Sequence, residues 1–411
     1  IRDSYGEDPY LSGTMATANV KGIQSAGVIA TLKHFVANNQ ETARNIGNSR
    51  VPERALHEIY MKPFEMAVKQ ANPGSVMCAY NALNGTHSCS NYYTLTKYLR
   101  HTWGFGGYVV TDFPASWSTE DFKNGLNVEM PQTFTSLEPT VRLAIKQGRL
   151  SEKDIDARVK ETLTVMFRFG MFDRTKQIHP VNVARGNSAA QKIAEQGAVL
   201  LKNKNSVLPL KTNTARRIAI FGAPAKVAVG GGGSSNVSAT ETDTALDEIT
   251  KRSRGAKVSY SSGLNHLSAA QEAKKADVAI VFVTNLTMEA MDRTSINLLS
   301  EQTALINKVA SANKNTIVVL NTGGPIAMPW LPKVAAVLNM WQPGQAGGKA
   351  TASLLYGDVN PSGHLPQTFP TADGQWPAHT LAQFPGGPLG LTPTYSLSLI
   401  HISEPTRRYA I

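Results

Sequence analysis

Short apolar runs that stop on polar residues recur through the first part of the chain. Gly27-Val-Ile-Ala-Thr-Leu leads to Lys33-His34, Ser75-Val-Met-Cys-Ala-Tyr80 to Asn81, and Tyr108-Val-Val-Thr111 to Asp112, while Leu126-Asn-Val-Glu-Met130 is stopped by Pro131. Between them lie segments of helical spacing: Gly13 to Ala26, Pro52 to Gln70 with Leu56, Ile59, Met61 and Phe64 on its inner face, and Thr94 to His101. Strands alternating with helices imply parallel βαβ units. Polar residues gathered at strand ends are the pattern of a (β/α) barrel whose site lies at its C-terminal face, and about four strands are present where a closed barrel needs eight. A carboxylate closing an apolar strand, as Asp112 does, is poorly placed for packing because burying an unpaired charge is costly. Taken alone it also fits a simple turn cap.

Two helices follow, Thr140 to Gln147 and Ser151 to Phe169, the second opened by a Ser-x-x-acid box with Asp154 and stopped by Gly170. Residues 173–186 lose periodicity and read as a linker. From Asn187 a second α/β unit begins. Its strands are expected at Ala198–Leu201, Ile218–Phe221, Val258–Tyr260, Val278–Val283, Thr316–Leu320 and Val334–Leu338, with helices at Thr244–Ile249, Ala269–Lys274, Ser300–Ala312 and Gly347–Tyr356. The expected organisation is a partial barrel over 1–172, a linker, an α/β sandwich over 187–371, and an irregular surface tail over 372–396 rich in Pro and Gly. Residues 397–411 contain LSLIHISEPTR, which resembles a translated sequencing adapter rather than protein.

Composition removes several classes of function. No run of 18 apolar residues marks a membrane span. The net charge of +11 is scattered, its densest cluster being Lys251-Arg252-Ser253-Arg254, and no nucleic-acid motif accompanies it. The run Gly230–Gly233 lacks the spacing of a phosphate loop, as does Gly347-Gly348-Lys349-Ala350. No HExxH, CxxC or clustered ligand set points to a metal, and no cofactor is expected. Cys78 and Cys89 flank a turn-rich stretch; their spacing fits a disulfide and two buried thiols equally well. Sequons stand at Asn84, Asn236 and Asn285.

Carboxylates remain. The apolar run Val278–Val283 leaves through TNLTMEAMDRTS, which carries Glu289, Asp292 and Arg293. Two carboxylates on loops leaving parallel strands suit retaining glycoside cleavage, which needs an ionised nucleophile and a protonated acid about 5–5.5 Å apart. A solvated loop acid at Glu289, and an Asp292–Arg293 ion pair ordering the loop, are the plainer readings.

YGEDPYL, KHFVANNQE, GSVMCAYNALNG, GFGGYVVTDF, GLNVEMP, AVLLKN with LPL, GGGGSS, EAMDR, TIVVLNTGGPIAMPW, PGQAGG and GDVNPSGHLPQTFP follow one another from about residue 3 to 371. In this order they resemble glycoside hydrolase family 3, the β-glucosidase and β-xylosidase group. The resemblance implies the C-terminal half of a (β/α)8 TIM-type barrel followed by an α/β sandwich domain. It implies a retaining, exo-acting β-glycosidase that releases terminal glucose without a cofactor; a β-xylosidase, an inactive gene fragment and a carbohydrate-binding relative are the alternatives. Asp112 falls on the family's nucleophile and Glu289 on its acid/base. Lys33, His34 and Arg44 match the residues that hold the sugar hydroxyls, Tyr80 the tyrosine beside the nucleophile, and Ser234 a glycine-loop serine that reaches the sugar. Phe113 stands where many members have Trp, and Ala290-Met291 where they have Gly-aromatic. An Arg ahead of YGEDPYL and an Asp on earlier strands have no counterpart here, so the chain is expected to be truncated at both ends and inactive as it stands. Secretion is a family-level expectation.

Overall fold

The computed structural model describes residues 5–173, 180–211, 217–375 and 380–395, which fall into two compact units. The adapter-like 397–411 lies outside the described residues, as does most of the segment between 173 and 180.

In the first unit, helix α1 (Pro9–Ser25) starts where the Asp8 carboxylate accepts from the Leu11 N–H at 2.7 Å, with Pro9 in the first turn. It lies against α2 (Lys62–Ala71), and Gly13 permits the approach: a Cβ there would sit 2.5 Å from the Met66 sulfur. Strands β1 (Thr31–Phe35), β2 (Ser75–Cys78) and β3 (Tyr108–Thr111) form a parallel sheet in that order, with Ser75 opposite both Thr31 and Tyr108. The core beneath it joins Phe35, Leu56, Met61, Leu95, Leu99, Val109 and Leu126.

Three local expectations change. The helix expected over Pro52–Gln70 is broken: a wide-turn segment, Leu56–Tyr60, ends at Met61 and α2 starts afresh. Pro63 accounts for the break, since it brings no N–H and its ring would clash with the carbonyl four residues back. The expected strand Leu126–Met130 is only a bridge between Val110 and Val128. The backbone bonds there are Val128 N–H to the Val109 carbonyl and Thr111 N–H to the Val128 carbonyl, both at 3.0 Å; beyond them the Thr111 hydroxyl takes the Met130 N–H at 2.8 Å and donates to the Met130 carbonyl at 3.2 Å. The tail does not simply run over the surface. Residues 380–395 belong with the first unit. Asn48 and Arg50 donate their N–H groups to Leu391 and Pro393, Tyr395 donates back to Arg50, and the Gln40 amide reaches the carbonyls of Pro385 (2.9 Å) and Gly390 (3.1 Å).

The helix α3 (Tyr93–Thr102) is again wide-turned, with bonds spanning five residues, whereas α4 (Glu138–Lys146) and α5 (Glu152–Arg168) are ordinary α-helices, and α5 carries the full Ser151/Asp154 capping box. In the second unit α6 (Val183–Gly197) begins inside the stretch read as linker, because the Asn182 side chain caps it through the Arg185 N–H. A six-stranded sheet is built from β4 (Val199–Asn203), β5 (Arg217–Phe221), β6 (Lys257–Ser261), β7 (Val278–Thr284), β8 (Thr316–Asn321) and β9 (Ala336–Asn339). Its order is β4-β9-β8-β7-β5-β6, parallel except for the edge strand β4. Along β7, Ile280 and Phe282 enter one core, and Ala279, Val281 and Val283 the other. A strand buried on both faces reads as an unbroken apolar run, as this one does. Helices α7 (Ala245–Arg252), α8 (His266–Lys275), α9 (Ser300–Ala312) and α10 (Gly347–Tyr356) cover those faces.

Candidate active site

In the first unit, Asp112 leaves β3 with 9% of its surface exposed and its N–H bound to the Cys78 carbonyl at 3.0 Å. Its Oδ1 accepts from the Phe113 N–H at 2.9 Å, and its Oδ2 lies 3.3 Å from His34 Nε2 at the end of β1. Oδ2 is buried and receives no hydrogen bond among the described residues. An acceptor so placed is costly unless something donates to it.

Tyr80, just beyond β2, turns its hydroxyl to the same place. It donates to the Phe113 carbonyl at 2.8 Å and accepts from the Phe113 N–H at 3.3 Å, on the residue that follows Asp112. Burial, followed by the negative charge of Asp112, pushes this phenol up to about 12, while the Arg44 guanidinium, 4.5 Å over the ring, opposes the shift. The hydroxyl therefore stays protonated and able to donate at any pH near neutrality. Arg44 is itself oriented by Glu41 at 2.8 Å. Lys33 is exposed on β1, and Phe113 is 58% exposed. The structure thus brings His34, Asp112, Phe113, Tyr80 and Arg44 together. Cys78 and Cys89 form a disulfide that closes the loop carrying Tyr80, resolving the choice their spacing left open.

Two carboxylates were not singled out by the sequence. Asp121 is fully buried and accepts from the hydroxyls of Ser90 and Ser116 and from the N–H groups of Trp117 and Ser118. Burial pushes its carboxyl up, against those bonds. Glu129 accepts from the hydroxyls of Thr133, Thr135 and Ser136 and from the Thr133 N–H at 3.0 Å. Burial pushes it up, but those donors outweigh burial and hold it below the usual carboxylate range. Runs of Ser and Thr three to seven residues from an acid were the available signal.

In the second unit, Glu289 follows β7, and its Oε2 accepts from the Ser234 N–H at 2.8 Å. The glycine run is zipped to this loop: Gly232 bridges Met288, and its N–H donates to the Thr287 carbonyl at 3.3 Å. A Cβ on Gly233, whose φ is +69°, would fall 2.4 Å from the Glu289 Cβ. Close approach to the acid-bearing loop, rather than a phosphate cradle, explains these glycines. Ser234 contributes its backbone to Glu289, and its side chain is exposed. Arg293 donates to the Pro325 carbonyl at 2.9 Å; burial lowers its pKa, partly offset by the charge of Asp373. Two of the three sequon asparagines are structurally engaged. Asn84 pairs with both the N–H and the carbonyl of Val51, and Asn285 accepts from Gly323.

Among the described residues no three His, Cys, Asp or Glu are grouped to hold a metal, and no helix is long and apolar enough to cross a membrane.

These features define a two-unit α/β protein with a carboxylate on a strand exit in each unit. The chain belongs to glycosyl hydrolase family 3: the family's N-terminal domain matches residues 2–165 and its C-terminal domain residues 198–399. It is 40% identical over 399 residues to thermostable beta-glucosidase B of Acetivibrio thermocellus, covering 93% of this chain and 52% of that protein. It is 35% identical to an exo-alpha-(1->6)-L-arabinopyranosidase of Bifidobacterium longum, covering 89% of this chain and 51% of the relative. The chain thus spans about half the length of these curated relatives. Among solved structures, DesR, a beta-glucosidase from Streptomyces venezuelae in complex with D-glucose, superposes with a TM-score of 0.89 at 32% identity, over 95% of this chain and 66% of that one. Beta-glucosidase 3B of Thermotoga neapolitana in complex with glycerol gives 0.87 at 34% identity, over 95% and 60%.

Proposed function

We propose that this chain carries the catalytic residues of a retaining, exo-acting β-glycosidase that releases terminal β-D-glucose by double displacement. Asp112 attacks the anomeric carbon as the glycosidic C–O bond breaks, and Glu289 delivers its proton to the departing oxygen. Water then gives its proton back to Glu289 and displaces Asp112, so the enzyme ends as it began. Lys33, His34 and Arg44 supply donors to the sugar hydroxyls, and charge-assisted bonds of this kind fix a ring in register. Tyr80 holds the Phe113 backbone behind the nucleophile.

The observation that carries this reading is Asp112 itself. It is a buried carboxylate at a parallel strand end, with one oxygen held by a backbone N–H and the other receiving no hydrogen bond beside His34. The relatives named above include β-glucosidases and an arabinopyranosidase, and that spread leaves the choice of sugar to experiment. A soluble, secreted setting fits the Cys78–Cys89 disulfide, which persists in oxidising compartments.

The test is trapping. A 2-deoxy-2-fluoro-β-glucosyl donor with a good leaving group should label Asp112, identified by peptide mass. Aryl β-glucoside, β-xyloside and α-L-arabinopyranoside are offered in parallel. Labelling of any other carboxylate overturns the assignment, and preference for the xyloside moves the substrate to that sugar.

A further inference from the structure

We propose that Gln40 is a positioning residue for the Asp112 site: together with the tail at 385–393 it fixes the loop from which Arg44 reaches that site. Resting on the reading of Arg44 as a sugar-binding donor, this gives a segment 345 residues away in sequence the task of setting that donor in place.

Residues 41–47 contain only bends and turns, so neither a helix nor a sheet ladder holds them. Inside the loop the Arg44 N–H donates to the Glu41 carbonyl at 3.2 Å, and those of Ile46 and Gly47 donate to the Ala43 carbonyl at 3.1 and 2.7 Å. Ala43 has a φ of +54°, a backbone that a residue with a side chain takes when its surroundings impose it. Gln40 and the tail are those surroundings. The Gln40 side chain is buried, and its Nε2 donates to the Thr42 carbonyl at 2.8 Å within the loop. The same nitrogen donates to the tail carbonyls of Pro385 at 2.9 Å and Gly390 at 3.1 Å. One amide therefore rivets the loop to the tail. Gly390, with a φ of +69°, permits the approach: a Cβ there would fall 2.6 Å from the Thr42 Cγ2.

The far end of the loop is gripped from two sides. Asn48 and Ser49 pair in parallel with Ala82 and Leu83. On the other side Asn48 and Arg50 donate their N–H groups to the Leu391 and Pro393 carbonyls at 2.7 and 2.8 Å, so the tail lies along this small sheet as an added edge. Tyr80 stands two residues before Ala82, so Arg44 and the Tyr80 ring that it covers at 4.5 Å ride on one frame. Glu41, 2.8 Å from the guanidinium, is the neighbour of Gln40 and shares its anchorage. A charge-assisted bond to a sugar hydroxyl weakens steeply when its donor is misaligned. Without the Gln40 amide three carbonyls lose a donor at once, and buried carbonyls left so favour a loop that opens to water. The guanidinium then loses its aim, while Asp112 keeps its place through β3 and the Phe113 N–H.

The test is a double-mutant cycle, read by calorimetry on the full chain with the non-hydrolysable methyl 1-thio-β-D-glucoside. Arg44→Ala should weaken binding roughly ten- to a hundredfold, the range of one hydrogen bond from a charged donor. Gln40→Ala should weaken it about three- to tenfold in wild type but less than about twofold in Arg44→Ala, where nothing is left to place. A merely structural role would cost both backgrounds alike. Gly390→Ala disturbs the same contact from the tail and carries the cycle should Gln40→Ala fail to fold. Adding Thr42→Ser, which removes the Cγ2 methyl, should return part of that loss. Hydrogen exchange over 41–47 should quicken in both variants, with β2 and β3 still protected. Equal weakening with and without Arg44, or unchanged binding in both Gln40→Ala and Gly390→Ala, overturns the proposal and leaves the role of Arg44 standing. Wild type that binds no thioglucoside, or Arg44→Ala that binds it as wild type does, overturns the sugar-site reading and the proposal with it.

Discussion

Asp112 Oδ2 and His34 Nε2 lie 3.3 Å apart, each side chain 12% exposed, although 78 positions separate them in the chain. Parallel pairing of β1 and β3 on either side of β2 brings the two strand ends side by side. If Asp112 is the nucleophile, Asp112→Gly should cut turnover of an aryl β-glucoside by roughly 10⁴-fold or more, as removal of a covalent catalyst does elsewhere. Azide should partly restore reaction by entering the vacated space. Near-normal turnover in the variant without azide excludes the assignment.

Glu289 separates substrates by leaving group. In Glu289→Ala, cellobiose hydrolysis should fall by about 10²–10⁴, the usual contribution of a general acid. Glycosylation by 2,4-dinitrophenyl glucoside, which needs little proton assistance, should fall far less. Equal losses would turn attention to Asp292.

Gly233 tests the loop that holds this acid. Gly233→Ala places a methyl group 2.4 Å from the Glu289 Cβ in a left-handed backbone, a conformation that costs an ordinary residue roughly 1–2 kcal/mol. Cellobiose turnover should drop sharply while the melting temperature falls by only about 2–4 °C for each kcal/mol of that cost. Wild-type kinetics in this variant would show that the glycine loop does not place Glu289.

The disulfide closes a loop of sequence separation 11. Cross-linking a loop of that size stabilises by about 3 kcal/mol through the unfolded chain. Cys78→Ser with Cys89→Ser should lower the denaturation midpoint of the first unit by a corresponding amount, read by urea titration followed at Tyr and Trp. An unchanged midpoint would mean that the cross-link is energetically idle.

Glu129 gives a pH signature. Its carboxyl is held below its ordinary 4.5, so its contribution to stability is complete above that pH and is lost as the pH falls through the folded-state value. Wild type should melt progressively earlier below pH 4.5, and Glu129→Gln should be less stable at pH 7 with a shallower acid limb. Parallel acid limbs in the two proteins would place the acid sensitivity elsewhere.

Local pattern by itself determined much of this protein. Periodicity located every strand of the second unit's sheet to within two residues at most ends, because β7 and β8 are buried on both faces and so are written as unbroken apolar runs. The capping box at Ser151 marked a helix start for the same local reason. Successive motifs resembling one family named Asp112 and Glu289 before any coordinate. Tertiary structure decided what depends on distant partners. Tyr80 meets Phe113 because β2 and β3 pair, and Gln40 meets Pro385 and Gly390 across some 345 residues. Asp121 and Glu129 look like ordinary loop acids until folding buries them among hydroxyls. Residues 380–395 carry no periodicity to read, since their order comes from backbone groups borrowed from Asn48 and Arg50. Apolar burial leaves its mark along the sequence, whereas a hydrogen bond between remote segments leaves none until the chain has closed on itself.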